Sequence, residues 1–600
     1  MPERAGEPGG RAAEVVLAAA ALAPWLVLAP LAGAAAVAAH ALALTAAFHG
    51  AGVGIGRLAR RPGAHPLLAV QWGAAALVGL FGIAIAAGVG GLVTQSVLLY
   101  GAVAAHTGAI ALRWRGYRAR LAAARPGLGV WLVPWGLLAG IAVLHVLGAA
   151  GDLDAPPFDD DGHVPAQLAR LRETGALGDP IGYARHAQLG GQLALGALAT
   201  LGGDVHLARL AEGLAFVLAL ALALARLRTP GERDAARALW GTLLVLAGSA
   251  QSYVRPDPAT LWTAIGLILA LHATLADRRA GDSPLPIAVL AGALITLRLE
   301  LAPVAVAAIA AAWWPDRRDL RRAALLAAGV LAVIAPYLLA RAGAGAAVPA
   351  AARALLESRL PPLGARLAIF AAVAVACAPL AAIFRGRPLG WLAAGAALTI
   401  AGVASQLTGE RPYAAGFLWP LAIAAAIAGV IQLGRARRTT AAALLVSLAV
   451  VVFIYEGRTT GGRRRWVRRY IDLGFDMDYL RTTRGAAPVS GGYEALLRPL
   501  PARATVAVWV LRPERLPYGA GPRIIDLRTP RAGWLGSAPW APYAPYLAPL
   551  EAFLARVGAD YLLVEEAAPG LRAVAQSHAV IAEAAGVQLI DLRAAPRVTP

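Results

Sequence analysis

Three consecutive carboxylates and an imidazole, Asp159, Asp160, Asp161 and His163, interrupt a chain that is otherwise strongly apolar. Three more polar groups share that setting: Tyr253-Val254-Arg255-Pro256-Asp257, Arg298-Leu299-Glu300 and Glu410-Arg411-Pro412-Tyr413, each beside or between long apolar runs. Charge next to hydrocarbon is costly, so such residues are functional candidates by default. Acids and arginines at a lipid–water boundary suit glycosyl transfer from a polyprenyl-phosphate sugar. Breaking the sugar–phosphate bond builds positive charge on the ring and negative charge on the departing phosphate, while the acceptor hydroxyl loses a proton. A carboxylate beside the acceptor takes that proton as general base. Arginines bind the phosphate bidentately and stabilise it as it leaves.

Each group also has a plainer reading. The aspartates read equally as a solvated turn, and Arg255 with Asp257 as a helix-end pair worth little. Arg298 and Glu300 are two apart and do not share a helix face, so each looks for partners elsewhere. Arg411 and Tyr413, near Trp419, fit interfacial belt anchoring. The aspartates with His163, His186 or His206 are a candidate oxygen-and-imidazole set for a divalent cation. Their spacing matches no metal signature, so the metal requirement stays unknown.

The elements that must position these residues are membrane helices. Of the 600 residues 58% are hydrophobic, which excludes a soluble enzyme. The net charge of +20 comes from 55 basic residues, all of them arginine; with neither lysine nor asparagine in the chain, the bias reflects base composition rather than a nucleic-acid partner. The single cysteine, Cys377, lies in an apolar run and closes no intramolecular disulfide. The first apolar segment lacks a convincing cleavage site and reads as a transmembrane helix rather than a signal peptide.

Runs long enough to cross about 30 Å of hydrocarbon predict about fifteen spans, near 14–31, 33–55, 66–88, 90–112, 129–149, 207–225, 238–252, 258–276, 284–297, 301–314, 323–340, 366–384, 388–405, 414–433 and 440–455. Arginine-rich connections stay cytoplasmic, and 57–61, 113–120, 226–228, 277–279, 316–322, 385–387 and 435–438 fit one consistent orientation. All four polar groups then face outward. The apolar stretch 187–201 is too short to cross, and is predicted to lie in the outer interface or to re-enter. Arg463-Arg464-Arg465-Trp466-Val467-Arg468-Arg469 falls on the outer side against the charge rule and reads as an interfacial segment along anionic lipid head groups.

From about residue 490 the composition changes. Thr505 to Leu511, Ile524 to Leu527, Tyr561 to Val564 and Val587 to Leu592 read as strands, with helices near 547–557 and 570–585. The expected fold is therefore mainly α: a polytopic transmembrane bundle with a small C-terminal α/β extramembrane domain whose sheet is partly parallel. Its divisions are accessory helices over 1–127, a core over 128–455 with the acidic outer loop 151–186, and an outward-facing domain over 456–600 that opens with the basic segment 458–470.

The order of motifs in the core carries a resemblance. Asp160-Asp161-Gly162-His163 is followed by Gln167-Leu168-Ala169-Arg170-Leu171 and Glu173-Thr174-Gly175-Ala176-Leu177, then by Leu207-Ala208-Arg209-Leu210. With the later Arg255-Pro256-Asp257, Arg298-Leu299-Glu300 and Arg411-Pro412-Tyr413, this resembles the GT-C glycosyltransferases of the protein mannosyltransferase-like, aminoarabinose transferase-like and arabinofuranosyltransferase-like groups. The resemblance implies a multi-pass inner-membrane enzyme that moves a sugar from a polyprenyl-phosphate donor to an extracytoplasmic glycan, lipid or protein acceptor. It implies Asp160 as base or acceptor-orienting acid, with Asp159 or Asp161 as substitutes, and Arg255, Arg298, Arg411 and Tyr413 around the donor phosphate. His163, Asp257 and Glu300 complete the outer face, and the only partners expected besides donor and acceptor are membrane lipids. Two departures stand out: the acidic loop follows about five spans where the family usually has it after the first, leaving about four extra helices, and the interfacial segment lacks the family's Pro-Pro pair. A flippase of lipid-linked saccharides and a non-catalytic assembly protein are the competing readings.

Overall fold

The computed structural model describes residues 33–346 apart from the short segments 62–63, 123–128, 152–162, 178–188, 202–206, 228–234, 253–260, 280–281, 299–300 and 317. It then describes 390–404, 418–435 and, within 492–593, all but 511–514, 520, 527–550, 552–553, 556–557, 566–573, 575 and 585. The expected spans near 14–31, 366–384 and 440–455 and the basic run at 463–469 lie outside the described residues.

The bundle contains α1 (Gly33–Leu58), α2 (Pro66–Ala86), α3 (Leu92–Ala122), α4 (Leu132–Gly151), α5 (His163–Thr174), α6 (Gly191–Thr200) and α7 (Ala208–Leu227). It continues with α8 (Ala235–Ser252), α9 (Leu261–Ala276), α10 (Leu285–Leu297), α11 (Ala302–Trp313), α12 (Leu320–Ala346), α13 (Gly390–Ala404) and α14 (Leu418–Arg435). Among the described residues five stretches are long and apolar enough to cross a bilayer: Ala34–Leu58, Pro66–Ala86, Leu92–Leu112, Leu210–Leu227 and Leu320–Ala342. Their outward faces carry exposed Val93, Val97, Leu112, Leu331 and Leu339, the surface a lipid solvent selects. The chain is built as a membrane protein.

Helix α2 lies at the centre. It packs against α1, α6, α9, α10 and α12, with Trp72 Nε1 donating to Thr274 Oγ1 (3.1 Å) and the Tyr337 hydroxyl donating to the Val78 carbonyl (2.7 Å). These buried polar side chains meet partners because hydrocarbon offers none. The N-terminal helices thus share one hydrophobic core with the helices that follow the acidic loop.

Small residues set how closely these helices approach. A side chain at Gly73 of α2 would run into the Phe48 carbonyl of α1, and one at Gly52 of α1 into the Ala69 carbonyl of α2. Backbone cannot yield as a flexible side chain does, and without a hydrophobic force between lipid-embedded helices such contacts carry much of the association. Gly73→Val is therefore expected to cost at least about 2 kcal/mol, read as a lower unfolding temperature in detergent.

One sequence expectation changes and another is narrowed to one of its two alternatives. Arg113–Arg120 continues α3 instead of forming a loop, because arginine is a good helix former and nothing breaks the run before Ala122. Within the expected segment 187–201 the structure forms α6 over Gly191–Thr200, all ten of whose residues are buried. At about 15 Å it is too short to cross, and its neighbours α2, α5, α7 and α10 enclose it, so it does not lie on the bundle surface. Its carbonyl at Leu198 accepts from His40 Nε2 of α1 (3.0 Å).

The C-terminal domain has its own core around Tyr493, Val506, Val508, Leu563 and Leu589. Helix α15 (Gly492–Leu497) precedes five strands: β1 (Thr505–Trp509), β2 (Arg523–Asp526), β3 (Tyr561–Val564), β4 (Ala579–Ala584) and β5 (Val587–Asp591). They stand in the order β2-β1-β3-β5-β4, parallel across β2-β1-β3 and antiparallel across β3-β5-β4. The expected helix 570–585 is corrected here, since Ala579–Ala584 is a strand. Its alanines imitate a helix, but Ala584 pairs with Val587 across a two-residue turn in which Gly586 adopts φ 79°. That backbone geometry suits glycine and closes a hairpin. A register shift between Val580 and Ala582 further hides the strand alternation.

Candidate functional site

The bundle has two chemically different ends. At one, the connection 277–284 is tied down by arginines from three other elements. Arg226 at the end of α7 grips both Asp277 carboxylate oxygens (2.9 and 2.5 Å), Arg61 after α1 pairs with Asp282, and Arg322 of α12 donates to the Asp282 carbonyl. Bidentate arginine–carboxylate geometry gives the Arg226–Asp277 tie directional specificity. His65, half-buried before α2, accepts the Leu67 N–H at Nδ1 (3.3 Å). Burial, then the neighbouring Arg226, push its pKa down to about 4.

The sign follows directly. The unfolded chain protonates His65 near its ordinary value, and the folded chain only near 4, so between these the unfolded state binds more protons and stability falls as pH falls. The loss is on the order of 1–2 kcal/mol after allowing for partial exposure. His65→Gln is expected to flatten the dependence of detergent-solubilised unfolding on pH between about 4 and 6.5.

The opposite end gathers the candidate residues' flanking elements. Arg298 caps the C-terminus of α10, its N–H donating to Leu294 O (3.3 Å) and its carbonyl accepting from Leu301 (3.1 Å), so α10 turns straight into α11. Its side chain is only 6% exposed. A guanidinium at a helix C-terminus sits at the negative end of the dipole, and one this buried has its charge answered within the protein. Two residues earlier, Thr296 packs directly on Gly191, the first residue of α6. Arg341 Nε of α12 donates to the Leu189 carbonyl (3.4 Å), and Leu177 touches Gly190, where φ is 122°.

Helix α5 opens two residues after Asp161 and closes at Gly175, whose carbonyl accepts from Gly90 N–H in the turn after α2 (2.9 Å). A side chain at Gly175 (φ 70°) would meet the Gly88 carbonyl, so glycine is required there. On the other flank of the acidic segment, His145 of α4 packs against Gly213 of α7 and tilts on Phe216, which in turn meets Trp262 edge-on. Both flanks of the acidic segment therefore rest at the same end of the bundle as Arg298. So does the start of α9, which follows Arg255 and Asp257. The start of α14, which follows Arg411 and Tyr413, shares that end too, because its other end, at Ile431 and Gln432, lines a small cavity with Arg226 and Ala276.

The side chains themselves divide. Arg298 is described. His163 is described as the first residue of α5, and Asp159, Asp160, Asp161, Arg255, Asp257, Glu300, Arg411 and Tyr413 lie outside the described residues, as do His186 and His206. Among the described residues no group of three His, Cys, Asp or Glu side chains is placed to hold a metal ion.

One polar residue at this end is missing from the sequence-derived set. Glu212, near the start of α7 and 6% exposed, caps α9 from a neighbouring helix. One carboxylate oxygen accepts the Trp262 N–H, and the other accepts Thr263 Oγ1 (3.0 Å) and Thr263 N–H (3.4 Å). The first-turn N–H groups of a helix have no partner of their own, and a negative charge there meets the positive end of the dipole. A lone acid within an alanine-leucine span was the available signal.

The C-terminal domain reaches this end as well. Arg170 of α5 donates to the Ile524 carbonyl on edge strand β2 (3.2 Å) and lies over the Tyr518 ring, 5.9 Å from its centre. Gly519 N–H donates to Glu173 (2.9 Å), and Tyr518 packs against both hydrophobic cores. No protein-family model and no curated protein matches the chain.

Proposed function

We propose that the chain is a membrane glycosyltransferase of GT-C type, moving a sugar from a polyprenyl-phosphate donor to an extracytoplasmic acceptor. The observation that carries this reading is the asymmetry of the bundle. The elements flanking all four acid and arginine groups share the end that holds buried Arg298, and the arginine–carboxylate ties hold the other. By the charge rule the tied end is cytoplasmic and the Arg298 end faces out, toward lipid-carried donors, with the C-terminal domain on that side.

In this reading Asp160 takes the proton of the acceptor hydroxyl as its oxygen attacks the sugar's anomeric carbon. The carbon–oxygen bond to phosphate breaks, and the electron pair leaves on the phosphate. Arg255, Arg298 and Arg411, with Tyr413, receive that charge.

The test is turnover. Membranes from cells producing the chain, given labelled hexose and pentose sugars on polyprenyl phosphate, are expected to release free polyprenyl phosphate and pass the label to an acceptor, in proportion to the chain present. A panel of donors left intact rejects the reading.

A further inference from the structure

We infer that the arginine-tied end of the bundle carries a binding site for an anionic phospholipid, whose head group meets Arg57, Arg60 and Arg279 while an acyl chain lies along the exposed face of α1. The site stands at the opposite end from the residues of the transferase reading and does not depend on it.

The ties at this end answer only part of its charge. Arg61 pairs with Asp282 and reaches the Asp277 carbonyl (3.5 Å), and Arg226 takes the Asp277 carboxylate. Burial holds the Arg61 pKa below its ordinary value; Asp277 opposes that shift, while Arg278 and Arg279 add to it. Cations therefore outnumber the carboxylates between them. Among the described residues, Arg57, Arg60 and Arg279 are exposed, and their guanidinium groups have no hydrogen-bond or ion-pair partner. Arg279 stands beside Arg61, because its N–H donates to Asp282 (2.7 Å), the carboxylate that Arg61 holds. The three arginines thus gather where α1 ends.

The backbone singles out Arg60. The last turn of α1 closes with the Arg60 N–H donating to the Arg57 carbonyl (3.0 Å) and the Arg61 N–H to the Gly56 carbonyl (2.7 Å), which leaves Arg60 at φ 56°. Helices often end this way with glycine at the left-handed position, since a β-carbon there crowds the backbone. Among the described residues Arg60 is the one non-glycine residue with positive φ. The dipole of α1 does not require it, because Arg57 already lies in the last turn. Strain retained under an exposed charge points to something that the charge binds.

The apolar half of the site lies directly beside it. Gly54, Arg57 and Leu58 stand at i, i+3 and i+4 and share one exposed face of α1. A β-carbon at Gly54 would meet nothing, and Leu58 is 72% exposed. An acyl chain following this face brings its phosphate to the turn at Arg60. Guanidinium groups match phosphate oxygens in pairs, and basic groups between membrane helices suit anionic head groups. A zwitterionic head group carries its own cation and leaves the excess charge unanswered.

The test is thermal unfolding of the full-length protein in dodecyl maltoside, titrated with dioleoyl phosphatidylglycerol or dioleoyl phosphatidylcholine. Phosphatidylglycerol is expected to raise the unfolding temperature saturably and phosphatidylcholine to leave it unchanged, since a ligand that binds the folded state stabilises it. Arg57→Gln, Arg60→Gln and Arg279→Gln are each expected to raise the lipid concentration for half the effect about fivefold. Arg60→Gly separates binding from fold. It removes strain and charge together, so the unfolding temperature without lipid is expected to hold or rise while the half-effect concentration still rises about fivefold. Combined Arg498→Gln, Arg503→Gln and Arg515→Gln, which removes three exposed charges from the sheet domain, is expected to stay within about twofold of wild type. Equal stabilisation by both lipids, Arg57, Arg60 and Arg279 variants that respond like wild type, an equal loss in the sheet-domain variant, or the same stabilisation by soluble glycerol 3-phosphate overturns the site.

Discussion

Asp160→Asn is expected to lower sugar transfer by roughly a hundred- to ten-thousandfold while the chain remains folded. The amide has the shape of the carboxylate and keeps one acceptor oxygen, so the acceptor hydroxyl can still be bound. What it lacks is the basicity to remove the hydroxyl proton as the sugar carbon is attacked, so the loss is expected in kcat, with KM for the acceptor little changed. Asp159→Asn and Asp161→Asn serve as neighbours of the same charge and are expected to cost less, through weaker orientation of the acceptor. Unfolding temperature in detergent distinguishes lost chemistry from lost fold. If both Asp160→Asn and Asp161→Asn retain full transfer, the acidic segment is not the base and the proposed mechanism is wrong.

Glu212→Ala is expected to destabilise the bundle by about 3 kcal/mol, seen as a lower unfolding temperature and faster proteolysis in detergent. Three donors lose their acceptor at once: the Trp262 and Thr263 N–H groups and the Thr263 hydroxyl. Water cannot replace the carboxylate cheaply, because Phe216, 0% exposed, and Trp262, 1% exposed, close over the site. Glu212→Gln keeps an acceptor oxygen but adds an NH2 group and removes the charge that meets the helix dipole, so it is expected to cost less, about 1–2 kcal/mol. A Glu212→Ala protein within about 0.5 kcal/mol of wild type would remove the cap from any account of the fold. The two predictions separate cleanly, since the first removes activity without stability and the second removes stability first.

Much of this molecule is written in its sequence for simple physical reasons. Apolar runs near the length of a bilayer have one backbone solution in hydrocarbon, so among the described residues helices stand where the hydropathy put them, over 33–346, 390–404 and 418–435. The arginines gave the connections a common side, and Arg61, Arg226 and Arg322 indeed meet around one connection at one end. The partly parallel sheet was legible because Val506 to Val508 and Tyr561 to Val564 are short apolar runs bounded by turns.

Other features depend on contacts between segments far apart in the chain, which local pattern does not encode. Of the two alternatives for 187–201, lying in the interface or re-entering, the first is removed by neighbours α2, α7 and α10, which bury all ten residues of α6. The strand at Ala579–Ala584 exists because β5 lies beside it; its alanines alone favour helix. The central role of α2 came from glycine notches and from Trp72, Tyr337 and their distant partners. Glu212 became a helix cap only when α7 and α9 came together, and Arg170 an interdomain contact only when the sheet domain met α5. Composition and period determine most of the helices, the strands with clear apolar runs and which end of each helix is charged, because those choices minimise exposed backbone and buried charge one segment at a time. Which helices touch, and which polar side chain answers another, is decided by packing, where the energy belongs to pairs of surfaces rather than to either sequence alone.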